Sequence, residues 1–244
     1  MRVLITGAAG YLGAALAERL GDEHELTLAD IRPREDGSGR WRAFDVTDLD
    51  AVRSCVRGHD AVVHTVALVR ERAGATLRAH VDTMVLGTWN VAEACALEQV
   101  GRLVNVSSVV ADGWTDDATR QRRVGDAPAF AERDRFYAVS KHVGEAIVRA
   151  YGQAFPIATL NLRPAVIAGD GLNPDPERPQ DAGEGPYWFV HVDVQDVADG
   201  IARALASEAT GTYQLVAGRA DARWEWESAA QAFGYAPAHN WPEV

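Results

Sequence analysis

Arg2-Val-Leu-Ile5 runs directly into Thr6-Gly-Ala-Ala-Gly-Tyr-Leu-Gly13, a short apolar stretch followed by a glycine-rich turn. A strand that ends in such a turn and opens a helix points backbone N–H groups at one spot. The positive end of the helix dipole falls there too, so a phosphate is favoured. Gly7 permits the tight turn. Gly10 lets the backbone approach a pyrophosphate with no side chain between them. Gly13 lets the helix lie close on the strand. The spacing predicts a dinucleotide site, against the ordinary alternative of a strand-to-helix turn with no ligand.

Asp30 ends a second apolar run, Glu25-Leu-Thr-Leu-Ala29. It stands at about the separation expected of the carboxylate that binds an adenosine ribose. A carboxylate accepts from a 2′-OH and repels a 2′-phosphate, which favours NAD over NADP. Arg32 and Arg34 follow and suit a phosphate, so NADP stands as the second choice. The bland alternative for Asp30 is a solvated strand end.

The glycine turn repeats no further, but the pattern around it does. Strands are expected at Val3–Thr6, Leu26–Asp30, Ala61–His64 and Arg102–Val106. Leu12, Leu16 and Leu20 recur on one helix face, and Val81–Leu97 also reads as a helix. Alternating strands and helices imply βαβ units: a Rossmann-type doubly wound parallel sheet with helices on both faces. Ligands bind at the carboxyl ends of such strands, where Gly7, Asp30, His64 and Ser107 all fall. Ala111–Arg135 is polar, with Asp112, Asp116 and Asp117, and reads as a long loop. A helix is expected over Phe136–Phe155 and a strand over Ile157–Arg163. Residues 164–186 read as loop. Phe189–Val192 is expected as strand, Val194–Ala206 as helix, Thr212–Val216 as strand and Trp224–Phe233 as helix. The expected division is a dinucleotide-binding domain over residues 1–163 and a small substrate lobe over 164–244. The strand and helix near 189–206 return to the first domain.

Composition narrows the classes. The chain has 244 residues, 47% of them hydrophobic, enough to bury a full core. No apolar run is long enough to span a membrane, and no charged leader precedes the glycine motif, so a cytoplasmic protein is expected. A net charge of −11 disfavours nucleic acid. Arg120-Gln-Arg-Arg123 reads as a solvated face. Cys55 and Cys95 lie in apolar helical patterns and read as small hydrophobes, and the seven histidines show no paired ligand spacing, so no metal is expected.

A second constellation is Tyr137-Ala-Val-Ser-Lys141. The i, i+4 spacing stacks Tyr137 and Lys141 on one helix face. Tyrosine, with a pKa of about 10, is a poor base at neutral pH. A neighbouring ammonium lowers that value and lets the phenol exchange a proton with a hydroxyl or carbonyl. Ser107-Ser108 follows the strand Arg102–Val106 and is placed to hold a substrate oxygen. No nucleophile elbow is present, so serine-nucleophile chemistry is not expected.

In this order, the glycine turn, the acidic strand end, the serines and Tyr-x-x-x-Lys resemble the short-chain dehydrogenase/reductase superfamily. Thr6-Gly-x-x-Gly-x-x-Gly13 is similar to its extended branch, the NAD-dependent epimerase/dehydratase family. Asp45-Val46, Val63-His-Thr-Val-Ala67, Gly87-Thr-Trp-Asn-Val-Ala-Glu-Ala94, Leu162-Arg-Pro164 and Val192-Asp-Val-Gln-Asp-Val-Ala198 also resemble family segments. The resemblance covers roughly residues 1–217. It implies Tyr137 as acid/base, Lys141 as its electrostatic partner and Ser108 as the third catalytic residue. It implies cofactor contacts from Gly7, Gly10, Tyr11, Leu12, Gly13, Asp30, Ile31, Arg32, Asp45, Val46, Thr65, Val66, Ala67, Val106, Tyr137, Lys141, Pro164 and Val166. Substrate contacts are expected from Ser107, Val109, Asn173, Arg178 and Trp188.

The chain departs from the family pattern at several points. Met84 stands where an Asn is usual, and Ala111-Asp-Gly113 replaces Val-Tyr-Gly. Val109-Val110 replaces the acidic pair of 4,6-dehydratases, which disfavours that subclass. The compact uronate dehydrogenases look nearest, although they carry Asn-His at Val109-Val110. The activity implied is an NAD-dependent oxidoreductase. It would transfer hydride between the nicotinamide and a secondary alcohol or ketone of a small, sugar-derived molecule. A sugar epimerase and a non-enzymatic NAD sensor are the alternatives. Family habit implies a homodimer built on the helices around Val81–Leu97 and Phe136–Phe155.

Overall fold

The computed structural model describes residues 1–32, 39–68, 76–113, 122–128, 130, 135–168, 191–218 and 224–239. Seven parallel strands form one sheet. They are β1 (Arg2–Thr6), β2 (Glu25–Asp30), β3 (Trp41–Ala43), β4 (Ala61–His64), β5 (Arg102–Val106), β6 (Ala158–Pro164) and, after a smaller pair, β9 (Gly211–Leu215). Their order is β3-β2-β1-β4-β5-β6-β9. The smaller pair, β7 (Val166–Ala168) and β8 (His191–Asp193), is also parallel. The helices are α1 (Tyr11–Leu20), α2 (Leu49–Val56), α3 (Leu77–His80), α4 (Gly87–Leu97), α5 (Arg135–Ala154), α6 (Val194–Ala206) and α7 (Glu227–Phe233).

Central parallel strands are covered on both faces, so they read as apolar runs rather than alternations. Val3 and Ile5 of β1 pack with Leu12, Leu16 and Leu20 of α1 and with Val197 and Ile201 of α6. Leu4 faces the other layer, with Val52, Val91, Cys95, Ile147 and Val148. Each wholly buried leucine contributes about 1.5–3 kcal/mol. From β1 the chain winds through α1 to β2 on one side, and β4 lies on the other. The crevice opens at that reversal, at the carboxyl ends of β1 and β4.

Several elements differ from expectation. Helical structure begins at Leu77, not Val81, and Val81–Leu86 forms a π-helical turn before α4. Thr76 caps that start by accepting from the Ala79 N–H, a local signal outweighed in the sequence by the apolar run that follows. The last helix begins at Glu227, and Trp224 precedes it in the core. The segment after the serines is not loop from its start. Val109–Asp112 is a 3-10 turn, and Asp112 is buried. β3 and β7 were not foreseen, and α2 was foreseen only as the apolar helical pattern around Cys55. The two strands are three residues each, too short for a period, whereas α2 is capped by Asp48.

Candidate active site

The glycine turn has the geometry its spacing implies. Gly7 adopts φ +74°, and a Cβ there would lie 2.7 Å from the Thr65 hydroxyl oxygen. A Cβ on Gly13 would sit 2.6 Å from the Ala8 Cα and closer still to the Gly7 carbonyl. Gly10 is different: within 4 Å its Cβ would meet only the Gly7 carbonyl oxygen, at 3.1 Å. It stands at the N-cap of α1 in extended conformation, with no side chain to cap the helix. First-turn amides have no intrahelical acceptor, so α1 presents donors over an open glycine. A dinucleotide's pyrophosphate fits that cradle.

Asp30 lies directly beneath the turn. One carboxylate oxygen accepts from the Ala9 N–H at 3.1 Å, the other from the Arg32 N–H at 2.9 Å. The carboxylate is buried rather than a solvated strand end, and it ties β2 to the glycine turn. Oδ2, which accepts only from Ala9 among the described residues, keeps a lone pair for a ribose hydroxyl.

His64, at the end of β4, joins this frame to α4. The Thr88 hydroxyl donates to the Met84 carbonyl at 2.7 Å, so it must accept from His64 Nε2, 3.3 Å away. That leaves His64 Nδ1 to accept from the Thr6 hydroxyl at 2.8 Å. Burial, with the charge of Lys141 as a second cause, pushes His64 down to about 3. It is a neutral strut at any physiological pH.

Tyr137 and Lys141 stand a turn apart on α5. Lys141 is buried, and Nζ donates to the Val106 carbonyl at 2.6 Å. Nζ lies 5.8 Å from the centre of the Tyr137 ring. Burial pushes the ammonium down to about 8, opposed by the charge of Glu145. It therefore remains largely charged at neutral pH, beside the Tyr137 ring. Ser108 precedes the 3-10 turn and its oxygen accepts from the Val110 N–H at 3.4 Å. The Ser107 hydroxyl is buried with no hydrogen-bond partner among the described residues. Val109 packs in the core.

Behind these groups lies a buried ion cluster that sequence reasoning did not assemble. Arg163 donates to both oxygens of Glu145, each at 2.7 Å. It also donates to both oxygens of Asp112, from Nη2 at 3.0 Å and from Nη1. Burial works against the guanidinium charge, but Glu145 and Asp112 outweigh it and raise the pKa. The i, i+4 spacing of Lys141 and Glu145 was a readable signal. The pairing with Asp112 was not, because it joins segments far apart in the chain.

The other expected residues are placed as follows. Tyr11 and Ile31 are exposed, Arg32 is exposed beside Asp30, and Leu12 is buried under the turn. Asp45 accepts from the N–H and hydroxyl of Thr47, and the Val46 carbonyl accepts from Asn90 at 3.0 Å. The Thr65 hydroxyl donates to the Thr6 carbonyl at 2.7 Å. Val66 and Ala67 are half-buried after β4, Pro164 is buried, and Val166 is exposed. Asn173, Arg178, Trp188 and Arg34 lie outside the described residues. Among the described residues no helix is long and apolar enough to cross a membrane.

The family model described as the NAD dependent epimerase/dehydratase family matches residues 3–183. Uronate dehydrogenase of Pseudomonas putida is 30% identical over 242 residues, covering 97% of this chain and 83% of that protein. L-arabinose 1-dehydrogenase (NAD(P)(+)) of Haloferax volcanii is 34% identical over 170 residues, covering 66% of this chain. The chain spans 65% of the length of that arabinose enzyme. A mutant uronate dehydrogenase from Agrobacterium tumefaciens, complexed with NAD, superposes with a TM-score of 0.80 at 25% identity. That match covers 97% of this chain and 84% of the other.

Proposed function

The chain belongs to the NAD-dependent epimerase/dehydratase family, and we propose that it is an NAD-dependent oxidoreductase acting on a secondary alcohol or ketone of a small sugar-derived substrate. The observation that carries this reading is Lys141 of α5, buried with its Nζ on the Val106 carbonyl at the end of β5, a helical turn from Tyr137. The dehydrogenases among its relatives support sugar acids and simple sugars as the substrate class.

Gly7, Gly10, Tyr11, Leu12 and Gly13 hold the pyrophosphate, and Asp30, Ile31 and Arg32 hold the adenosine ribose. Asp45 and Val46 flank the adenine. Thr65, Val66, Ala67, Val106, Pro164 and Val166 line the rest of the cofactor's path. When bound, the nicotinamide supplies the hydride acceptor or donor. Tyr137 takes the hydroxyl proton of the substrate in oxidation and returns it in reduction, with the Lys141 charge stabilising the phenolate. Ser108 hydrogen-bonds the same substrate oxygen. Ser107 meets the substrate from the serine turn.

The test is absorbance at the reduced-nicotinamide band, with NAD and a panel of D-glucuronate, D-galacturonate, L-arabinose and simple secondary alcohols. NADH formation is the expected result. No NADH from any compound, with NAD held tightly on the purified protein, would instead favour the epimerase or the sensor.

Asp30→Asn is expected to lower the ratio of NADP to NAD dissociation constants by at least about tenfold, or about 1.4 kcal/mol. The substitution removes the charge that repels a 2′-phosphate. Titration of both cofactors checks it, and an unchanged ratio would remove Asp30 from cofactor choice.

We also propose a homodimer. α4 exposes Trp89, half accessible, and α5 exposes Val139, with Val81 of the π-helical turn and Phe155 just past α5 also exposed. The Trp89 indole N–H donates to the Tyr151 hydroxyl, which donates to Glu93, fixing a patch of aromatic rings. Light scattering is expected to give the mass of two chains, and Trp89→Asp the mass of one. A wild-type monomer would reject the dimer. A reducing, cytoplasmic setting accords with the free thiols of Cys55 and Cys95.

A further inference from the structure

We propose that Asp112, Arg163 and Glu145 form a clamp that positions the Ser108 turn against the α5 face bearing Tyr137 and Lys141. The inference rests on the roles proposed above for those three residues.

Each member comes from a different element. Asp112 closes the 3-10 turn that Ser108 opens, Arg163 lies near the end of β6, and Glu145 follows Lys141 by one turn of α5. The side chains of Arg163, Asp112 and Glu145 are 5%, 9% and 3% exposed. The guanidinium meets both carboxylates two oxygens at a time, the arrangement that fixes direction as well as distance. Three charges cost several kcal/mol each to desolvate, so an apolar cluster would stabilise the fold at least as well. What the ions add is a defined placement of three separate segments.

Other bonds grip the same turn or brace α5 against β6. His142 Nδ1 lies 2.9 Å from the Ala111 carbonyl, one residue along α5 from Lys141. Arg122 donates to the Asp112 carbonyl at 3.1 Å. Asn161 donates to the Glu145 carbonyl and accepts from Asn105. By contrast, among the described residues the Ser108 side chain makes only a long bond to the Val110 N–H, and its carbonyl accepts from the Ala111 N–H at 2.9 Å. Its position is set by the turn, and the turn is held through Asp112. The titratable and charged groups around the clamp are Lys141 and His142 on α5, Arg122, and, beyond Lys141, the neutral His64 of β4. The two carboxylates oppose Arg163 and Lys141, so the four charges sum to zero. Glu145 also holds Lys141 toward its charged form, against burial.

Asp112→Asn tests the clamp. It preserves size and one acceptor oxygen, and leaves Arg163 paired with Glu145. Hydrogen exchange in peptides covering residues 107–112 should quicken at least tenfold, with peptides from β1 and α1 unchanged. With D-glucuronate, or the best panel substrate, kcat should fall about 10- to 100-fold while the NAD dissociation constant stays within twofold. In a Ser108→Ala background the same substitution should cost less than a further twofold, because it acts through Ser108. Unchanged exchange overturns the proposal, as does an equal loss of kcat in both backgrounds. If Asp112→Asn does not fold, Arg163→Lys is read the same way, since lysine cannot span two carboxylates in paired fashion. Exchange needs no substrate. A wild-type protein that turns over nothing would count against the proposed function, and the exchange result alone would then decide the clamp.

Discussion

Tyr137→Phe is expected to lower kcat by about 10³-fold while NAD affinity changes by less than about threefold. The substitution removes one oxygen and leaves the ring beside Lys141, 5.8 Å from its nitrogen. Lys141 keeps its bond to the Val106 carbonyl and so keeps its place. The lost step is proton exchange with the substrate, which belongs to the transition state and not to cofactor binding. Steady-state rates with the best panel substrate and a fluorescence titration with NAD measure the two quantities. A kcat within tenfold of wild type would remove Tyr137 from the chemistry.

Gly13→Ala carries the other large effect, on folding. Its new methyl would press on the Ala8 Cα and the Gly7 carbonyl. Both are backbone within the turn itself, and neither can rotate away. Overpacking that forces backbone shifts costs about 3 kcal/mol at its usual upper end. For a chain of this size that corresponds to a fall of about 6–12 °C in Tm. Gly101→Ala is the control: its Cβ would make an ordinary contact of 3.5 Å, and Tm should move by less than about 3 °C. Thermal unfolding of the three proteins decides it, and equal Tm values would show that the turn yields. NAD binding should weaken with Gly13→Ala, since the first turn of α1 moves with the backbone.

Much of this architecture was legible because parallel sheets write themselves locally. β1, β2, β4 and β5 are apolar runs closed by turn residues, and α1 shows its buried face in Leu12, Leu16 and Leu20. Tyr137 and Lys141 were readable because a helix turns four residues into one face. The Asp112 clamp was not. Asp112 sits among other acids in a polar stretch, and nothing local separates it from Asp116 or Asp117. Its partners lie 51 and 33 positions further along the chain, at Arg163 and Glu145, and only the packing of α5 across β5 and β6 brings them together. The π-helical turn at Val81–Leu86 was hidden because no local residue signals the wider turn, and the segment reads as the start of the α4 helix.

The last strand carries a consequence for how the molecule must be made. The family match ends at residue 183, yet β9 and α6 come later in the chain. β9 hydrogen-bonds along β6 from Leu160 to Pro164, and α6 reaches back to α1, where Arg19 meets Asp199. A ribosome that has emitted only the recognisable segment has therefore released an unfinished sheet, with β6 as a raw edge and one flank of the core uncovered. Such an edge invites pairing with a neighbouring chain. The strands around the glycine turn are thus made before the strand and helix that seal them.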